Sequence, residues 1–217
     1  MPNDLATKRR PAEPVVLLVL GLVALVISRI QPYDRATWVM EVAPIFIAVP
    51  ILVATALRFP LTPLVYRLIF VHALILVVGG HYTYARVPLG YWAQHIVGLA
   101  RNDYDRLGHF AQGFVPALVA RELLLRLTPL RAGKWVFFLV TCVALAISAC
   151  YELVEWWAAV ALGTAATDFL GTQGDPWDTQ WDMFLALVGA LAAQQLLARR
   201  HDRELAALKV RGAVQLA

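Results

Sequence analysis

Charge is scarce in this chain. Of 217 residues, 16% are Asp, Glu, Lys or Arg and 60% are hydrophobic. A soluble domain carries about 25% charged residues, so a water-soluble core cannot be the whole explanation. Cysteine is scarcer still. Cys142 and Cys150 are the only two, and eight helical residues separate them by about 12 Å, too far to bridge. They read as small buried residues of an apolar run. There is no internal repeat and no low-complexity segment, which weighs against a transporter built from paired repeats. No tight His-x-x-His or cysteine motif announces a metal. The formal net charge is +4, but its distribution argues for membrane topology rather than nucleic acid.

The apolar residues come in runs near the roughly 20 needed to cross a bilayer. Six candidate spans follow, at about 15–30, 39–57, 66–81, 107–127, 135–157 and 182–198. Pro32, Pro60, Pro63, Pro88, Pro129 and Pro176 fall between them, where they break no helix. Pro44, Pro50 and Pro116 fall inside spans, which membrane helices tolerate. The first run lacks a small-x-small cleavage site and reads as a retained span. The expected architecture is an all-α membrane bundle of six transmembrane helices over residues 15–200. An N-terminal segment 1–14 and a tail 201–217 flank it.

Basic residues set the orientation. With the N-terminus inside, Lys8, Arg9, Arg10, Arg58, Arg67, Arg121, Arg126, Arg131, Lys134, Arg199, Arg200, Arg203, Lys209 and Arg211 fall on the inner side. Only Arg29, Arg35, Arg86, Arg101 and Arg106 fall outside. Both termini are therefore expected in the cytoplasm. The acids run the other way: Asp34, Glu41, Asp103, Asp105, Glu152, Glu155, Asp168, Asp175, Asp178 and Asp182 crowd the outer face.

That crowding points to a site. Four span ends meet the outer face, at Gly79-Gly80-His81, Asp105 to His109, Tyr151 to Glu155, and Asp178 to Asp182. Asp105/His109 and Asp178/Asp182 are four apart and Glu152/Glu155 three apart, so each pair shares a helix face. Asp105, His109, Glu152 and Asp182 make a workable ligand set for a divalent cation. Glu155 and Asp178 are the candidate general bases, and His81 is a further outer-face candidate. A shared site requires His109, Glu152 and Asp182 within about 8 Å of one another, since ligand bonds are near 2 Å.

Blander readings stand beside these. Asp105 and Asp178 also fit as helix N-caps. Glu152 and Glu155 also fit a solvated headgroup layer beside a Trp156-Trp157 belt. His72 reads as a satisfied core histidine. Residues 82–106 carry Tyr82, Tyr84, Tyr91, Trp92 and Tyr104 and suit an amphipathic segment resting in the interface. Residues 164–180 contain no Lys or Arg and suit a lid or a solvated connector.

The ordered blocks HYTYARVPLG, RNDYDRLGHFAQGF, YELVEW and GTQGDPWDTQWDM resemble the YjdF-type family of bacterial inner-membrane proteins over roughly residues 15–200. That resemblance implies the bacterial inner membrane and supplies no reaction. A looser likeness links Asp105 with His109-Phe110, Glu152 and Asp178/Asp182 to VanZ-like membrane proteins. It departs at 186–189, where those proteins carry an Asn and this chain has none. The likeness implies a cell-envelope role. Two classes of function stay open. One is a cation-dependent enzyme acting on a lipid headgroup or lipid-linked substrate. The other is a non-enzymatic protein for lipid binding, transport or assembly, whose acids are structural or bind a cation.

Overall fold

A computed structural model describes residues 12–163, 167–170 and 172–216. Lys8, Arg9 and Arg10 lie outside the described residues, as do 164–166 and 171 of the expected lid and the side chain of Asp168. Every regular element among the described residues is helical. In order they are α1 (Ala12–Ser28), α2 (Arg35–Thr55), α3 (Pro63–Tyr82), a 3-10 turn (Tyr84–Arg86), α4 (Pro88–Val97), α5 (Tyr104–Leu127), α6 (Lys134–Leu162), α7 (Thr167–Leu170) and α8 (Asp178–Leu216). Four helices are long and apolar enough to cross a membrane: α2, α3, α6 and α8. α1 is apolar but shorter, and α5 is more polar.

The helix starts follow local chemistry. Asp34 caps α2, its carboxylate accepting from the Thr37 N–H at 2.7 Å. Proline opens α3 and α4, where its missing N–H costs nothing. The Thr37 N–H holds the Asp34 carboxyl below its ordinary value. The ionised cap is therefore complete above the unfolded value of about 3.9 and is lost as pH falls through the lowered folded value. Asp34→Ala is expected to lower Tm in detergent by roughly 2–4 °C at neutral pH, the equivalent of about 1 kcal/mol. Acidification below about pH 4 should close the gap to wild type.

α5 is the hub. It packs most extensively on α8, then on α6 and α3, while α1 and α2 each pack on α3. Twelve of its residues are buried, more than in any other helix whose burial is given, which is why it tolerates polar residues that a lipid-facing helix would not. The largest core cluster joins Leu64 and Val65 of α3, Ala117 and Leu118 of α5, Val136, Val140 and Ala144 of α6, and Ala190 and Ala193 of α8. α5 and α8 cross at backbone distance. A Cβ on Gly113 would lie 1.8 Å from the carbonyl oxygen of Ala186, and one on Gly189 would lie 2.1 Å from that of Phe110. Small residues at such a crossing let two backbones meet.

Two expectations are corrected here. Cys142 and Cys150 are exposed, not buried. A helix facing lipid places small apolar residues outward as readily as inward. α8 does not stop near residue 198 but runs 39 residues to Leu216. That is about 58 Å of helix, well beyond a hydrocarbon core of about 30 Å. His201 and Leu205, in the expected tail, are buried.

α4 carries Leu89, Trp92 and Ile96 exposed at helical spacing, an apolar stripe left uncovered by the other described residues.

Candidate functional site

Three helix ends build the site. α5 contributes Asp105 and His109, α6 contributes Glu152 and Glu155, and α8 contributes Asp178 and Asp182. The Gly113–Ala186 crossing sets their spacing. His109 lies one turn before Gly113 and Asp182 one turn before Ala186, so the backbones that touch at the crossing bring these side chains together.

The imidazole of His109 is the centre. Its Nε2 is 3.4 Å from Asp105 Oδ1 and 3.8 Å from Asp182 Oδ2. Its Nδ1 is 3.8 Å from Glu152 Oε1 and 2.9 Å from Gln112 Oε1. Among the described residues, two overlapping groups have ligand atoms within 4.8 Å of one another: Asp105, His109 and Asp182, and His109, Glu152 and Glu155. Bonds of about 2.1 Å in a tetrahedron space ligand atoms about 3.4 Å apart, so side-chain adjustments suffice to close either group on a cation. The Glu152 and Asp182 side chains are 6% and 2% exposed. Both carboxylate oxygens of Glu152 and Oδ1 of Asp182 are buried without a hydrogen-bond partner. Buried carboxylates left this way are costly unless a cation or proton compensates them.

Asp178 is placed differently. It begins α8, but its carboxylate lies 2.9 Å from the Arg101 guanidinium. Arg101 also approaches Asp103 at 3.2 Å and donates to the Thr172 carbonyl at 2.7 Å. Arg106 pairs with Asp175 at 3.1 Å. Burial works against the charge on Arg101, yet Asp178 holds its guanidinium above the ordinary arginine value. These arginines neutralise an outer layer of acids and leave the layer around His109 unneutralised. His81 stands apart: its Nδ1 lies 2.9 Å from the Ser28 carbonyl oxygen, tying α3 to α1. Asp105 is buried in the first turn of α5, whose N-cap residue is Asp103. Trp156 and Trp157 are exposed, but Glu152 beside them is buried rather than solvated.

Beside Asp105 and His109 lies a cavity of about 150 Å³, lined among others by Glu41, His72, Tyr84, Tyr151 and Glu155. Tyr84 fits because Gly79 and Gly108 leave its ring room. A Cβ at either glycine would come within 2.7 Å of that ring. Burial, then the charge of Glu41, pushes the Tyr84 phenol well above its ordinary value, so it stays a hydrogen-bond donor. His72 is not a satisfied core histidine, since its Nε2 is buried without a partner.

Sequence reasoning missed Glu41 as a site residue, although the signal was present: a lone acid inside an apolar run is a functional hypothesis by default. It also missed Tyr84, Tyr151 and Gln112, whose roles depend on what packs around them. A second buried polar network was not foreseen at all. At the far end of α5, Glu122 accepts from Thr62 N at 3.0 Å, Thr62 Oγ1 at 2.8 Å, Arg126 at 2.6 Å and His201 Nε2 at 3.0 Å.

The family model described as "Predicted membrane protein (DUF2238)" matches residues 13–203. The "Inner membrane protein YjdF" of Escherichia coli (strain K12) is 60% identical over 200 residues, covering 90% of this chain and 95% of that protein. No solved structure matches. The VanZ-like likeness is not shown by these comparisons. The match to the family model covers every residue of the site, and on it the chain belongs to the DUF2238 family of membrane proteins.

Proposed function

We propose that the chain is a six-span protein of the bacterial inner membrane that holds a divalent cation at its periplasmic face and acts there on a lipid headgroup or lipid-linked substrate. The observation that carries this reading is the buried His109 with the unpartnered carboxylate oxygens of Glu152 and Asp182. One imidazole nitrogen among carboxylates suits zinc or a harder divalent ion. Such an ion would polarise a phosphoryl or carbonyl oxygen and activate water. Glu155, on the cavity wall, is the better general base. Asp178 is ion-paired to Arg101 and is better suited to positioning than to taking a proton.

The span count rests on α1, α2, α3, α5, α6 and α8, with α4 lying in the interface on its exposed Leu89, Trp92 and Ile96. Asp182 and His201 both sit on α8 and are 19 residues apart, about 28 Å. That is close to the hydrocarbon thickness, which supports one polar network at each membrane boundary. The excess of basic residues at one end, with an even number of crossings, supports both termini in the cytoplasm. A second reading, a non-enzymatic protein whose cation is structural, is favoured by the Arg101 and Arg106 pairs that already brace the loops around the site.

Metal analysis of the purified protein tests the cation. Wild type loaded with zinc, manganese, magnesium or calcium and then desalted should retain at least one ion per chain. His109→Ala should retain none while keeping its helical content. A folded wild type that holds no ion after each loading sinks the proposal.

A further inference from the structure

The cavity beside His109 has an open side. Pro44 of α2, Leu76 of α3, Pro116 of α5 and Ile147 of α6 form its deeper wall. α2 packs on α3, α3 on α5, and α5 on α6, but α2 and α6 are not among the packed helix pairs of the described residues. They flank the cavity with α3 and α5 as its floor. Ile147 lines the cavity and is also 40% exposed, so it stands on the rim. Above the gap, α7 touches both α2 and α6. Its Phe169 is buried, with its ring 6.5 Å from that of Tyr151. The gap is thus roofed at the site end and flanked by exposed apolar residues, Ile47 on α2 and Val143 on α6.

The cavity is polar toward His109 and apolar toward Ile147. Its volume of about 150 Å³ is of the order that admits one benzene-sized molecule. That is room for the linkage region of a lipid but not for its acyl chains. The carboxylates around His109 repel an anion unless a cation sits among them.

Resting on the reading above, we propose that the α2–α6 gap is a lateral entrance for a membrane lipid bearing a phosphate. The phosphate meets the cation at His109, the unpartnered Nε2 of His72 takes a glycerol-side oxygen, and the acyl chains pass between Pro44 and Ile147 into the bilayer.

The test uses the full chain in detergent and a phosphatidylglycerol carrying a diazirine in one acyl chain. Photolabel is expected on α2 and α6 peptides around Pro44 and Ile147, and only with divalent cation present. Unlabelled phosphatidylglycerol should compete; diacylglycerol of the same chains and inorganic phosphate should not. Ile147→Trp, and independently Pro44→Trp, should cut labelling by about tenfold, the equivalent of roughly 1.4 kcal/mol, while metal content stays at the wild-type level. Retained metal shows that either variant is folded. Labelling unchanged in both metal-replete variants, or spread evenly over all lipid-facing helices, overturns the entrance. Equal competition by diacylglycerol overturns the phosphate. Loss of metal from wild type is a different result, and it removes the cation reading itself.

Discussion

Gly113→Leu is expected to separate α5 from α8 and to abolish cation retention in the same variant. The reason is distance. A Cβ at position 113 would lie 1.8 Å from a backbone oxygen, 2.5 Å from its carbon and 2.6 Å from a Cα, all of Ala186. No rotamer relieves a clash with backbone, so the helices must move apart. Over-packing in a core costs about 1–3 kcal/mol when side chains can yield, and the cost here falls at the upper end or beyond it. Tm should drop by roughly 6 °C or more for a chain of this size. The site follows because His109 and Asp182 lie one turn before the two touching residues on their helices. Gly189→Leu should do the same, since its Cβ would meet the Phe110 carbonyl oxygen at 2.1 Å. Gly21→Ala is the control, as its Cβ finds Phe70 at an ordinary 3.7 Å. Thermal unfolding in detergent and metal content, measured together on the three variants, decide the matter. A Gly113→Leu protein with wild-type Tm would show that the two helices do not cross at this point.

Glu122→Ala is expected to be the most destabilising single loss of a polar side chain. Glu122 is fully buried and accepts from α5, α8 and the loop between α2 and α3 at once. The partners fix the tautomer of His201. Arg121 has only donors and sits 2.9 Å from Nδ1, so Nδ1 accepts and Nε2 carries the hydrogen given to Glu122. Arg121 continues to Asp202 at 2.7 Å, and Arg126 donates to the Pro60 carbonyl and lies 3.6 Å over the Phe59 ring. Removing the carboxylate leaves Arg126, the Thr62 N–H and His201 without their shared acceptor. Breaking one partner from a buried charged pair costs about 3–5 kcal/mol, or roughly 10 °C in Tm at this chain length. Glu122→Gln should fall between, because its amide nitrogen must face a donor. A Glu122→Ala/His201→Ala double variant should lose less than the sum of the two singles, since both remove the Glu122–His201 bond. Full additivity would mean that the network is not shared. Metal retention should survive these changes, because the two networks are about 28 Å apart along α8.

The membrane class was legible in the sequence because bilayer thickness imposes a length on apolar runs that no tertiary contact alters. The expected spans at 39–57, 66–81 and 135–157 lie within a few residues of α2, α3 and α6. Helix-face spacing likewise paired Asp105 with His109 and Glu152 with Glu155, because three- and four-residue separations are local geometry. What the spacing left open was the partners between helices. Glu41 reaches the cavity only because α2 packs on α3. Asp178 turns to Arg101 because residues 101–103 and 172–175 are tied together, Asn102 and Gln173 exchanging hydrogen bonds at 3.3 and 2.8 Å. The exposed cysteines of α6 and the buried His201 of α8 were misjudged or unseen for one reason: hydropathy says that a residue avoids water, not whether it meets lipid or protein. The chain alone therefore determined a membrane bundle with acids crowded at one end. The tertiary structure decided which acids converge. It did so through glycines at positions 113 and 189, whose missing side chains let two backbones touch and thereby set His109 against Asp182.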